Sequence, residues 1–406
     1  MDTLDLHACG ITDDGKLWHT SRSVQSSHVV WSPWEEVKAQ GMSSLHHFVK
    51  VACVSTRREK DGSSTDKEFH VLAITDDGKL LHTSRLVQQN WQPFEDLGTT
   101  LGNTGSFRNV GGNEFRGTLD ICVIVSVEHG DQRILHTTRS SNGAWSGFEE
   151  ITQSQLAGFP TSFTSADCAA TFIVFLFGGL HVCGLTHDGK LWYTLNFQQP
   201  IWLPFAQIPA KNTPNAFTDV SVALAGGGLH ICSQAEGTVW HTMRFLNPPK
   251  WQDTFDNVKE HAGSNPGTFV SASCANLAGE LHICGLTDDG KLWHTFLSSS
   301  VPAPGWQPAW HPFEDVTALA GSPGHFTFIS VTGDSGTWGP IGGGGDPTCD
   351  TINTCIANDT LQIQTLQAQK ASTTNSARIA QINQQIAGLQ QAIGSLQQQR
   401  QEHHCP

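Results

Sequence analysis

The sequence predicts an all-β fold, a six-bladed β-propeller of four-stranded antiparallel blades, followed by a C-terminal helical segment. Three observations predict it. One segment recurs six times: LHACGITDDGKLWHTSR at 6–22, FHVLAITDDGKLLHTSR at 69–85, LDICVIVSVEHGDQRILHTTR at 119–139, LHVCGLTHDGKLWYTLN at 180–196, LHICSQAEGTVWHTMR at 229–244 and LHICGLTDDGKLWHTFL at 281–297. Its turn glycines, Gly15, Gly78, Gly130, Gly189, Gly237 and Gly290, stand 63, 52, 59, 48 and 53 residues apart. That spacing suits one propeller blade and exceeds the repeat of a solenoid coil. Finally, the first repeat has no strand before Leu4, and a matching segment follows the sixth repeat.

Each repeat reads as four strands. FVKVACV at 48–54 and FTDVSVA at 217–223 stand first in their repeats. The second and third strands form a hairpin around an Asp-Gly turn. The fourth carries Trp-x-x-Phe/Trp and ends on an aliphatic, as in WSPWEEV at 31–37, WQPFEDL at 91–97, WSGFEEI at 145–151, WLPFAQI at 202–208 and WHPFEDV at 310–316; WQDTFDNV at 251–258 has one extra residue. A two-residue turn at Asp14-Gly15 would set His7 opposite Arg22 and Gly10 opposite His19. Repeat 3 adds residues evenly on both sides of its turn, which keeps every side chain on its face. Repeat 5 is one residue short before its turn, so a bulge or an altered turn is expected there. The strand missing from repeat 1 is expected at FISV, 328–331, giving a 3+1 closure that leaves no sheet edge at the seam.

The propeller is thus assigned to residues 1–338. GPIGGGGDP at 339–347 has the composition of a flexible linker. In 348–406, Ile379, Ile382, Ile386, Leu389, Ile393 and Leu396 step by three and four, a heptad seam. It predicts either a helical hairpin or a coiled coil that makes a homo-oligomer. In the hairpin, Cys405 would approach Cys349 or Cys355, and a disulfide could join them. Cys9, Cys122, Cys183, Cys232 and Cys284 recur at one motif position and read as buried free thiols.

Of 406 residues, 23 are Lys or Arg and 37 Asp or Glu, a net charge of −14. This excludes a nucleic-acid binder, which needs basic surface, and a partner held by anionic lipid. No apolar run of about 18 residues is present, so no membrane insertion is expected. The opening MDTLDLHACG lacks the pattern of a signal peptide. Cytoplasmic synthesis is expected, with a leaderless export route left open.

The recurring polar residues are the candidates for function. The His of Trp-His-Thr is His19, His82, His136, His241 and His294, with Tyr193 in repeat 4. Under the two-residue turn it would face Gly10, Ala73, Val123, Gly184 or Gly285, small residues that let a ring lie flat or leave room for a ligand. Three residues on stands Arg22, Arg85, Arg139 or Arg244, whose planar fork of donors suits vicinal hydroxyls or carboxylates; repeats 4 and 6 have Asn196 and Leu297 instead. Its cross-strand neighbour would be His7, His70 or Asp120. Trp31, Trp91, Trp145, Trp202, Trp251 and Trp310 recur in all six repeats, as blade packing or as platforms for a sugar's C–H face. His-x-Cys pairs such as His181/Cys183 lie too far apart around a ring to converge on zinc, so no metal or other cofactor is expected. TDDGKLW at 12–18 and TGDSGTW at 332–338 come one residue short of the sialidase Asp-box, itself a turn element. No Gly-x-Ser-x-Gly, phosphate loop or unique carboxylate pair appears. A likeness spread around a ring suits binding better than one asymmetric catalytic centre, so no catalytic residues and no enzyme are expected.

The His-Thr-x-Arg segment followed by Trp-x-x-Phe/Trp resembles the tectonin-related β-propeller lectins of bacteria and fungi, over the six repeats but not the tail. The resemblance implies a multivalent carbohydrate-binding protein that holds glycans in blade pockets, one per competent repeat. Carried over by position, the pockets would use His19, Arg22 and Trp31; His82, Arg85 and Trp91; His136, Arg139 and Trp145; and His241, Arg244 and Trp251. Repeats 4 and 6 depart from the pattern. The alternative is a protein-interaction propeller, a toxin or surface-assembly component that oligomerises through its tail.

Overall fold

The computed structural model describes residues 4–334 except 26–27, 39–46, 60–64, 87–88, 104, 116, 127–131, 152–159, 161, 174–176, 197–201, 210, 247–248 and 299–308, together with scattered positions between 363 and 397. The scattered positions of the tail are helical, but the hairpin or coiled coil read from 348–406, its cysteines and the 339–347 linker lie outside the described residues.

Six antiparallel sheets form a six-bladed propeller. Blades 2 to 6 are consecutive in the chain. In blade 2 the strands are Phe48–Glu59, Thr65–Thr75, Leu80–Leu86 and Glu95–Asp96. Blade 1 is built from Leu6–Thr12, Leu17–Gln25, and the short strands His28–Trp31 and Glu35–Glu36, and Phe326–Gly333 pairs antiparallel with Leu6–Thr12. The inner strands Phe326–Gly333, Phe48–Glu59, Ser106–Phe115, Phe163–Ile173, Ser221–Ala225 and Phe269–Leu277 neighbour one another in that cyclic order.

Polar side chains tie the inner strands across the seams. Asn109 Oδ1 accepts from the backbone N–H of Ala166, Asp167 Oδ2 from Val222 and Asp219 Oδ2 from Ala272, each at 2.9 Å. Ser273 Oγ accepts from Val331 N–H at 3.0 Å, and Ser330 Oγ from Cys53 N–H at 3.2 Å. Burial pushes the Asp167 carboxyl up to about 7, although Val222 N–H and its other donors favour the charged form.

The hairpin register differs by one residue from the expected one. Thr12 N–H donates to Lys16 O at 3.0 Å, Gly15 N–H to Thr12 O at 2.8 Å, and Gly15 sits at φ 74°. The loop therefore has three residues, a type I turn closed by a left-handed glycine. The motif builds this turn itself: Asp14 accepts from the Thr12 hydroxyl at 2.6 Å and from the Lys16 ammonium at 2.5 Å, and Trp18 Nε1 donates to Thr12 Oγ1 at 3.0 Å. Arg22 consequently faces Leu6, not His7, and His19 faces Cys9, not Gly10. Likewise Arg85 faces Phe69 rather than His70, and Arg139 faces Leu119 rather than Asp120. The shortened repeat 5 does have an altered turn: Glu236 and Gly237 sit at φ 54° and 73° in a two-residue loop, and Cys232 still faces His241.

The small residues before the turn have a different partner from the one expected. A Cβ on Gly10, Gly184 or Gly285 would lie 2.5, 2.5 or 2.4 Å from the ring of Phe326, Phe163 or Phe269, the aromatic that opens each inner strand. That ring lies across the glycine and reaches the fourth-strand aromatic of its own blade. The ring centroids are 4.6 Å apart for Trp34–Phe326, 5.1 Å for Phe163–Phe205 and 5.2 Å for Phe269–Phe313. The acid after the fourth-strand aromatic has a local task too: Asp96 and Asp315 cap short helices, whose first residues Leu97 and Val316 are fully buried. The recurring cysteines are buried free thiols.

Candidate functional site

The corrected register puts two polar groups of each blade on one sheet face, one diagonal step apart. Five blades place a second-strand His against the third-strand His or Tyr: His7–His19 at 3.1 Å, His70–His82 at 3.1 Å, His181–Tyr193 at 2.8 Å, His230–His241 at 2.8 Å and His282–His294 at 3.0 Å. In blade 3, Asp120 takes the first place and accepts from His136 at 2.9 Å. Burial holds His19, His70, His82 and His294 below the usual imidazole range. It takes His181 and His230 to about 3 and His282 to about 2. These imidazoles are neutral, and the pairs work as hydrogen-bond chains.

Each pair faces the next blade. The first Trp of each Trp-x-x-Phe/Trp strand meets the preceding blade's His or Tyr edge to face: His19–Trp91, His82–Trp145, His136–Trp202, Tyr193–Trp251, His241–Trp310 and His294–Trp31, with centroids 5.2 to 6.1 Å apart. Arg and Trp of one repeat are cross-strand neighbours, as in Arg22 opposite Trp31 and Arg244 opposite Trp251. The sequence grouping by repeat therefore needs correction. Arg85 and Trp91 meet His19, not His82; Arg22 and Trp31 meet blade 6; and Arg244 and Trp251 meet Tyr193, not His241. Arg139 and Trp145 come from blade 3 and adjoin Glu68 and His82 of blade 2, while His136 belongs to the following seam. The two repeats without arginine deprive the 3/4 and 5/6 seams, where Asn196 and Leu297 stand.

At the 1/2 seam, Arg85 donates to Glu35 Oε2 and to His19 Nδ1, both at 2.9 Å, and its guanidinium carbon lies 4.4 Å from the Trp91 ring centroid. An arginine only donates, so His19 donates from Nε2 to His7, and His7 Nε2 donates to Asp334 Oδ1 at 3.2 Å. Asp334 also accepts from Ser55 and Lys67 at 2.7 Å and from Asp5 N–H at 3.0 Å. Although burial opposes it, these partners, His7 first, hold Asp334 well below the usual carboxylate range. Asp5, His7 and Asp334 are the one metal-like cluster among the described residues, and the Lys67 ammonium is already on it.

At the 6/1 seam the chain runs the other way. Glu314 accepts from His294 Nδ1 at 2.7 Å and from Trp31 Nε1 at 3.0 Å, so His294 Nε2 accepts from His282. Arg22 Nε lies 3.4 Å from the same Glu314 oxygen, an ion pair without hydrogen-bond geometry. Burial raises the Glu314 carboxyl, but the His294 bond and its companions outweigh it and hold the group at about 2. At the 2/3 seam, Arg139 lies 3.4 Å from Glu68, and Glu95 accepts from Trp145 Nε1 at 3.2 Å. Its contact with His82 takes Glu95 to about 2.

The arginine side chains keep 12 to 20% of their surface at these three seams, and Glu35 keeps 55%. Trp31, Trp91, Trp202 and Trp310 are buried, which makes them seam packing rather than open platforms; Trp145 and Trp251 are half-buried. The carboxylates Glu35, Glu95 and Glu314 join the sites without standing out in the sequence as candidates, although an acid at this position recurs in five repeats and only Ala206 breaks the series.

No protein-family model and no curated protein matches the chain. Solved structures do. A mutant of AofleA from Arthrobotrys oligospora is 11% identical over 79% of this chain and 86% of its own, with a TM-score of 0.49. The six-bladed fungal lectin of Aleuria aurantia, described by its fucose recognition, is 14% identical over 79% and 97%, with a TM-score of 0.47. The α-L-arabinofuranosidase of Fusarium graminearum is 13% identical over 78% and 94%, with a TM-score of 0.44. Sugar-binding and sugar-cleaving proteins are both among the similar structures.

Proposed function

We propose that the protein is a multivalent lectin of the tectonin-related kind, binding glycans at the blade seams without chemistry on them. One observation carries this: the 1/2 seam sets a partly exposed arginine fork beside an exposed carboxylate, with Arg85 2.9 Å from Glu35 and held over the packed ring of Trp91, 4.4 Å from its centroid. Adjacent hydroxyls of a sugar both donate and accept, and such an acid–base pair answers both. Variants of the constellation recur at the 2/3 and 6/1 seams. Repetition favours avidity on a glycan-covered surface, where catalysis would need one distinctive centre. The test is a glycan array with the native chain and with Arg22→Ala, Arg85→Ala, Arg139→Ala and Arg244→Ala combined. Binding to defined glycans that disappears in the quadruple variant is expected; absence of any binding, or binding that persists, rejects the proposal. Assembly through 348–406 is part of it, checked by comparing the mass in solution of the whole chain with that of a chain ending at residue 345.

A further inference from the structure

The 4/5 seam differs from its neighbours in charge. Elsewhere each seam arginine has an acid beside it: Glu35 for Arg85, Glu68 for Arg139 and Glu314 for Arg22. Blade 4 has lost both acidic positions. Ala206 stands where the other repeats have Glu35, Glu95, Glu149, Asp256 and Glu314, and Gly179 stands where blade 2 has Glu68. Among the described residues no carboxylate or carbonyl pairs with the Arg244 side chain.

What surrounds Arg244 is neutral. Its guanidinium carbon lies 5.3 Å from the Tyr193 ring centroid. Thr171 Oγ1 donates to Gly179 O at 3.2 Å, so it accepts from His181 Nε2 at 3.0 Å. His181 Nδ1 then accepts from the Tyr193 hydroxyl at 2.8 Å. The tyrosine proton is thereby committed inward, and Tyr193 is itself buried in the seam's core. Trp251, half-buried, stands edge-on to Tyr193 with centroids 5.4 Å apart. Among the described residues the seam therefore presents a half-exposed guanidinium without an acid beside it and a half-exposed indole, over a buried tyrosine.

We infer that the 4/5 seam takes a sugar that carries a carboxylate, with the acid on Arg244 and the ring against Trp251, both of them packed on the Tyr193 ring. This rests on the lectin proposal and deepens it: the other arginine seams hold their own carboxylates, which repel such a ligand. An arginine–carboxylate pair is charge-assisted and two-pronged, stronger than neutral hydrogen bonds.

Tyr193 is the only tyrosine in the chain, so a ¹³C-tyrosine-labelled protein reports this seam alone. Titration with glucuronate, galacturonate and N-acetylneuraminate, against glucose, galactose and N-acetylmannosamine at equal ionic strength, should move the ring signals with at least one acid and with no neutral sugar. Arg244→Gln should weaken that response roughly tenfold or more. Ala206→Glu, which restores the residue of the sister blades, should abolish it; Arg133→Gln, in an exposed pair with Glu150 that belongs to no proposed site, should leave it. The inference is overturned if no acid moves the signals, if neutral sugars move them equally, or if the response survives in both Arg244→Gln and Ala206→Glu. Neutral glycans bound on the array without any response to acids would remove this inference alone. Absence of all sugar binding would remove the lectin proposal with it.

Discussion

Acidification should destabilise this ring in a way the buried imidazoles make calculable. His181 and His230 titrate at about 3 and His282 at about 2, against about 6.5 in an unfolded chain. A depressed histidine gives its full stability above the unfolded value and loses it as pH falls towards the folded one. Between about pH 7.5 and about pH 5.5 each unfolded imidazole gains about 0.8 proton and each folded one almost none, which costs about 1.3 kcal/mol apiece and about 4 kcal/mol together. Asp167 opposes this. Its folded value is raised to about 7, so the native state takes up a proton over the same interval, which contributes about 2 kcal/mol in favour of folding. The net loss is about 2 kcal/mol, with a slope of about 2.4 kcal/mol per pH unit at the acid end. His19, His70, His82 and His294 shift in the same direction and enlarge it. Urea unfolding followed by tryptophan fluorescence at the two pH values measures the difference, and Asp167→Asn, which removes the compensating proton, should raise the loss to about 4 kcal/mol. Stability that is flat, or that rises, as the pH falls refutes the reasoning.

Other expectations concern the scaffold. Gly184→Ala places a methyl 2.5 Å from the Phe163 ring and should cost about 1–3 kcal/mol, read as a lowered Tm, whereas Gly147→Ala, with no neighbour within 4 Å, should leave Tm unchanged. Asp334→Ala removes the acceptor shared by His7, Ser55, Lys67 and the Asp5 N–H, and frees the pairing of Phe326–Gly333 with blade 1 at its end. A loss of about 3–5 kcal/mol is expected in denaturant unfolding, and a loss below about 1 kcal/mol would show that the network is not coupled to the ring. Trp310→Ala, buried beside His241, should cost about 3–5 kcal/mol, while Trp251→Ala, half-buried, should cost less and impair sugar binding at its seam.

The blade count and strand order were legible because each repeat copies one turn and one aromatic strand. Register was not. Asp-Gly is read first as a two-residue turn, but Thr12, Asp14 and Lys16 bind one another around a three-residue loop, and the single added residue moves Arg22 from His7 to Leu6. The glycines before the turn are visible in the sequence but their cause is not, because Phe326 is far from Gly10 in sequence and meets it only after the strands pair. The seam constellations were half legible. His, Arg and Trp recur visibly, but the hairpin twist hands the imidazole of one blade to the arginine of the next, a relation that no single repeat contains. Glu35 and its equivalents look like solvent-facing charge beside Trp-x-x-Phe until Arg85 closes on them.

The measurement that bears most directly on the account is the glycan array with purified chain. It should show defined glycans bound by the native protein and lost when Arg22, Arg85, Arg139 and Arg244 are replaced together by alanine in a chain whose Tm shows it folded. Retention of the same glycans by that variant, or no glycan bound by the native protein, would contradict the placement of function at the blade seams.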